Sequence, residues 1–140
     1  NKSKVRFPAM PKLPRKHMHR RANYFLENWN HLGVPFRAVF RTMRVRQLLP
    51  TGLTYSEWAD IVWVYGVLLD GELSQVKDAL YFKRFYSAST HAKWRPIDIR
   101  EAEPLFRREI ERRSGDHNLI MDLANVCQKE PHRFRKWKLW

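Results

Sequence analysis

Residues Ile61–Leu69 form an apolar run of nine with no charged side chain. It follows Thr54-Tyr55-Ser56-Glu57, a capping-box pattern in which Thr54 can cap a helix start and Glu57 can reach back. A helix opened there places Trp58, Ile61, Val62, Tyr65, Leu68 and Leu69 on one side and Trp63, Val64 and Val67 on the other. Apolar on most faces, such a helix must lie at the centre of a fold. Nine residues fall far short of the ~20 that a membrane-spanning helix needs.

The rest of the chain reads as helices arranged around that one. Asp70-Gly71 turns it into a second helix over about 73–86, with Val76, Ala79, Leu80 and Phe85 inward, giving a central helical hairpin over 54–86. The hairpin has the shape of one solenoid repeat, but no second copy follows at a period of about 34. Upstream, Tyr24, Phe25, Trp29 and Leu32 recur at helical spacing until Gly33 and Pro35 stop them. Phe36, Val39, Phe40 and Met43 then make the inner face of a basic amphipathic helix over 36–49, with Arg37, Arg41 and Arg44 outward. Because proline is poorly tolerated inside a helix, Pro104 predicts a helix start near itself, running to Arg113 with Leu105, Phe106 and Ile110 as its stripe. Glu101, Glu103, Glu109 and Glu111 alternate with Arg100, Arg107, Arg108, Arg112 and Arg113 as a solvated salt-bridge face. Ser114-Gly115 ends this helix, Asp116 caps the next, and Leu119, Ile120, Leu123, Val126 and Cys127 face inward until Pro131. Strand alternation is absent before the final residues. The predicted class is all-α, a domain of about five to six helices over 22–130 with tails at 1–21 and 131–140.

Charge divides the chain the same way. Residues 1–50 carry 12 Lys/Arg and one acid, residues 51–130 are near neutral at −2, and the last ten carry four bases and no acid. Self-repulsion at a net charge of +13 opposes compaction, so the basic ends call for an acidic partner. The N-terminal arm holds Lys2, Lys4, Arg6, Lys12, Arg15, Lys16, Arg20 and Arg21, stiffened by Pro8, Pro11 and Pro14. Each cation can neutralise a phosphate, and a pre-extended arm loses little entropy on threading a groove. The C-terminal run interleaves Arg133, Arg135, Lys136 and Lys138 with Phe134, Trp137 and Trp140, suited to stacking on bases between phosphates or to anchoring in an apolar groove. The Arg37, Arg41 and Arg44 face is a third candidate nucleic-acid surface, or a solvated one.

Catalytic signatures are missing: no nucleophile elbow, P-loop, dinucleotide fingerprint or zincin motif occurs. His17 and His19 have no carboxylate partner, Cys127 reads as a core thiol, and one cysteine excludes an internal disulfide framework. The expectation is a chain that is not an enzyme and holds no metal or cofactor. It begins at Asn1, not Met, so either a presequence was removed or the numbering starts part-way along; a mature organellar protein fits, and the three prolines argue against the arm being a transit peptide.

Basic arms at both ends, a small near-neutral helical middle, the non-Met start and the many Trp and Arg resemble a mitochondrial ribosomal protein of the lineage-specific kind. The resemblance implies a matrix protein, a structural constituent of the ribosome whose tails contact rRNA and other ribosomal proteins. Two shorter fragments point to a rival class. Gly66-Val67-Leu68-Leu69-Asp70 with Val76-Lys77-Asp78-Ala79-Leu80 is similar to the small helical matrix subunit of the cytochrome bc1 complex, without the spacing to that family's later segments. Leu80-Tyr81-Phe82-Lys83 is similar to the Leu-Tyr-Arg accessory subunits, with Phe82 where their Arg stands. These imply a matrix-side accessory subunit of a respiratory complex or ATP synthase, its tails clamping acidic protein surfaces or cardiolipin.

Overall fold

The computed structural model describes residues 20–28, 38–43, 58–74 and 99–129. They hold four helices: α1 (Arg21–Asn28), α2 (Ala59–Asp70), α3 (Ile99–Arg113) and α4 (His117–Lys129). No strand occurs among the described residues. The principal contacts run α1 to α2, α2 to α3, α3 to α4 and α4 back to α1, so each helix buries its apolar stripe against two others. None of these helices is long and apolar enough to cross a membrane.

Helix α2 is buried on most of its faces, as its composition predicts. Ile61, Val62, Val64, Tyr65, Val67 and Leu68 are all buried, and Trp63 and Leu69 pack against the core from its edge. It begins at Ala59, later than the capping box implies. Trp58 occupies the cap position without a side-chain bond there and is itself buried at 6% exposure, while Thr54 and Glu57 lie outside the described residues. Asp70 is its last residue, as the Asp70-Gly71 turn predicts. Leu73 and Ser74 are not helical, and the remainder of the predicted second hairpin helix lies outside the described residues.

Helix α3 starts five residues before Pro104. The missing N–H at Pro104 removes one intrahelical bond, which ordinarily ends a helix. Here Ile99 and Ala102 are buried on the same stripe as Phe106 and Ile110, at spacings of three and four. Pro104 itself sits on the exposed side, where water reaches the backbone. Burial of Ile99 and Ala102 therefore outweighs the proline penalty.

The α3–α4 corner follows its local signals closely. Gly115 adopts φ +63°, a conformation that disfavours a Cβ, and its N–H donates to the Ile110 carbonyl at 2.9 Å. Asp116 Oδ1 then accepts from the Asn118 N–H at 2.9 Å, capping α4. All five predicted inward residues of α4, Leu119, Ile120, Leu123, Val126 and Cys127, are buried.

The segment 38–43 departs from its prediction. Ala38 to Arg41 are not helical, and Val39 and Met43, expected inward, are exposed at 102% and 76%. Phe40 alone of the three makes the inward contact, its ring edge-on to Trp63 at 4.6 Å between centroids.

Candidate nucleic-acid interface

Three of the predicted phosphate-binding cations fall among the described residues, and they meet three different fates. Arg20 is exposed, with Nε donating to Asp122 Oδ2 at 2.7 Å. That hydrogen bond and the carboxylate's charge hold the guanidinium pKa above its ordinary value. Arg41 is exposed between Val39 and Met43. Arg21 is buried, at 2% exposure, and corrects the sequence reading most sharply. Its Nη1 donates to the Gly71 carbonyl at 2.9 Å and lies 3.2 Å from Glu72 Oε1, while Nε and Nη2 are buried without a hydrogen-bond partner. A cation placed there caps the carbonyl end of α2 and is enclosed by the fold. Arg20 and Arg21 thus belong to the helical body and not to an extended arm.

Spacing held a signal for this. Arg21 stands four residues before Phe25, on the buried face of α1, and Ala22, Asn23 and Leu26 widen that face. Asn23 was equally missed. Its Nδ2 donates to the Leu119 carbonyl at 3.0 Å, and its Oδ1 accepts from the Tyr65 hydroxyl at 2.6 Å.

Helix α3 carries the ion pairs expected of it, Arg107 with Glu103 at 3.1 Å and Arg112 with Glu109 at 2.9 Å. Arg113 is the exception. It lies 8% exposed, with Nε on Glu109 Oε2 at 2.9 Å and Nη1 on Asp70 Oδ2, joining α3 to the end of α2. A polar groove of about 290 Å³ runs between α1 and α4, lined by Arg20, Glu27, Asp122 and Lys129 among others. Its two cations face two carboxylates, so it offers no net attraction to a polyanion. No group of three potential metal-ligating side chains occurs among the described residues.

The described residues contain nine Lys/Arg and ten Asp/Glu, a net of −1 against +13 for the whole chain. Lys2, Lys4, Arg6, Lys12, Arg15, Lys16, Arg37, Arg44, Arg133, Arg135, Lys136, Trp137, Lys138 and Trp140 all lie outside the described residues. The chain matches no protein-family model, no curated protein and no solved structure.

Proposed function

We propose that this chain is a non-catalytic structural subunit of a mitochondrial ribosome, held in the matrix on rRNA by its basic ends. The division of charge carries the reading. Residues 51–130 hold 11 Lys/Arg against 13 Asp/Glu, so the chain's excess of bases lies in residues 1–50 and 131–140, and that excess is the part available to a polyanion. The binding residues on this reading are Lys2, Lys4, Arg6, Lys12, Arg15 and Lys16 in the arm, with Arg37, Arg41 and Arg44. The C-terminal tail adds Arg133, Arg135, Lys136 and Lys138, with Trp137 and Trp140 stacking on exposed bases. Arg21 is omitted because it is buried, and Arg20 contributes only if a phosphate displaces Asp122.

Gradient sedimentation of a mitochondrial lysate before and after RNase tests this. Co-migration with ribosomal particles, lost on RNase treatment, is the expected result. RNase-insensitive migration with detergent-solubilised respiratory complexes would overturn it in favour of an accessory subunit whose tails clamp acidic protein or cardiolipin.

A further inference from the structure

Arg20 stands where the basic arm meets the helical body. Residues 1–19 hold six Lys/Arg and no acid, and Arg20 would be the seventh cation of that series. It is instead tied to a carboxylate 102 residues away, its Nε donating to Asp122 Oδ2 at 2.7 Å. The pair is open to water, with side-chain exposures of 58% for Arg20 and 32% for Asp122. Exposed pairs of this kind add little to folding. Among the described residues no other acceptor meets Arg20, so Asp122 takes one donor and leaves both terminal amino groups without a partner there.

The surroundings of this guanidinium are acidic. Two cavities, of about 290 and 320 Å³, share Arg20 and Asp122 in their linings. Glu27 and Asp116 add two more carboxylates, and Lys129 is the one further cation among the described residues that line them. A phosphate approaching Arg20 is repelled by these carboxylates. Asp122, already fixed on α4 at bonding distance, loses no translational freedom in holding the guanidinium, whereas an incoming phosphate does.

We propose that Asp122 is a self-inhibitory contact: it occupies Arg20, so that the run of phosphate contacts made by the arm stops short of α1. The inference rests on the RNA-binding reading above and names the residue that limits it. The bond is a single one, not the two-bond fork that a guanidinium forms with its strongest anionic partners, and it leaves Arg20 able to take a phosphate once Asp122 is neutralised. An exposed pair shifts an equilibrium by at most about fivefold, which sets the size of the effect to look for.

The test is the salt dependence of binding of the full chain to a structured RNA. Asp122→Asn should tighten binding by up to about fivefold and steepen the slope of log K against log salt by about 0.9, one further phosphate on a duplex. Arg20→Met should leave the slope unchanged by itself and abolish the gain when combined with Asp122→Asn. Glu111→Gln makes the same charge change at an exposed carboxylate that neither bonds Arg20 nor lines the two cavities, and should leave the slope as it is. Each variant should melt within a few degrees of wild type, because the residues changed are exposed or partly so. No change on Asp122→Asn, an equal gain from Glu111→Gln, or a gain that survives Arg20→Met would each overturn the inference and leave the RNA reading in place. So would a slope that Arg20→Met alone makes shallower by about 0.9, a result that needs no Asp122 variant to fold. A wild-type slope near zero would overturn both.

Discussion

The Tyr65 hydroxyl donates to Asn23 Oδ1 at 2.6 Å, and the Asn23 amide in turn donates to the Leu119 carbonyl at 3.0 Å, so one buried side chain ties α2, α1 and α4 together. Tyr65 also packs against Phe106 of α3, ring centroids 4.8 Å apart. Tyr65→Phe keeps that packing and leaves a buried amide oxygen without its donor. The expected loss is about 1–3 kcal/mol in urea unfolding. Burial, with smaller contributions from Cys127 and Asp122, pushes the Tyr65 phenol well above its usual range. The unfolded chain then loses this proton near pH 10 while the folded chain keeps it. The group's contribution is complete below about pH 10 and is lost as pH rises toward the folded pKa, at up to ~1.4 kcal/mol per pH unit. The difference in stability between wild type and Tyr65→Phe should therefore shrink above pH 10.

Gly66 marks where α3 lies against the backbone of α2. A Cβ there would stand 2.8 Å from Glu109 Oε2 and 3.2 Å from Arg113 Nε, both ends of flexible side chains. Ala is the better helix former by up to ~1 kcal/mol, but it must displace the Glu109–Arg113 pair. Gly66→Ala should be close to neutral in the wild-type chain. In a Glu109→Ala/Arg113→Ala background it should stabilise by roughly 1 kcal/mol, as a denaturation cycle would measure. Equal effects in both backgrounds would contradict this contact.

Pro104 is a site where the chain can be improved. Pro104→Ala restores an N–H for the α3 ladder on an exposed face and removes no buried contact. Against that, the unfolded chain regains about 0.4–1 kcal/mol of entropy. The net expectation is a gain of roughly 1–2 kcal/mol in chemical denaturation.

The contrast between α3 and α4 shows what the sequence alone can specify. The start and the inward positions of α4 rest on local signals, the Gly115 turn, the Asp116 cap and a clean 3.6-residue period. The start of α3 rests on burial of Ile99 and Ala102 against other helices, which no reading of Pro104 alone can weigh. Arg21 was misread for the same reason, since its partners Gly71 and Glu72 lie some 50 residues away. Val39 and Met43 share the predicted period but are exposed, while Phe40 packs on the Trp63 ring. Of the candidate interface, the partition of charge was legible from composition. Which cations the fold uses internally was not.

Arg21 gives that distinction a direct check. Arg21→Met occupies the same buried position without two unbonded donors, so stability should change by no more than about 1 kcal/mol. Affinity for RNA should be unchanged in a filter-binding titration. A loss matching that of Lys12→Ala would place Arg21 on the phosphate side.

The most direct measurement is the salt dependence of binding to a structured RNA, for the full chain and for one lacking residues 1–19. Counterion release gives a slope of about −0.9 in log K against log salt for each phosphate neutralised on a duplex. The six arm cations that precede Arg20 then predict a slope of at least about −5 for the full chain, shallower by about that amount without the arm. A slope near zero, or one unaffected by the deletion, would contradict the account.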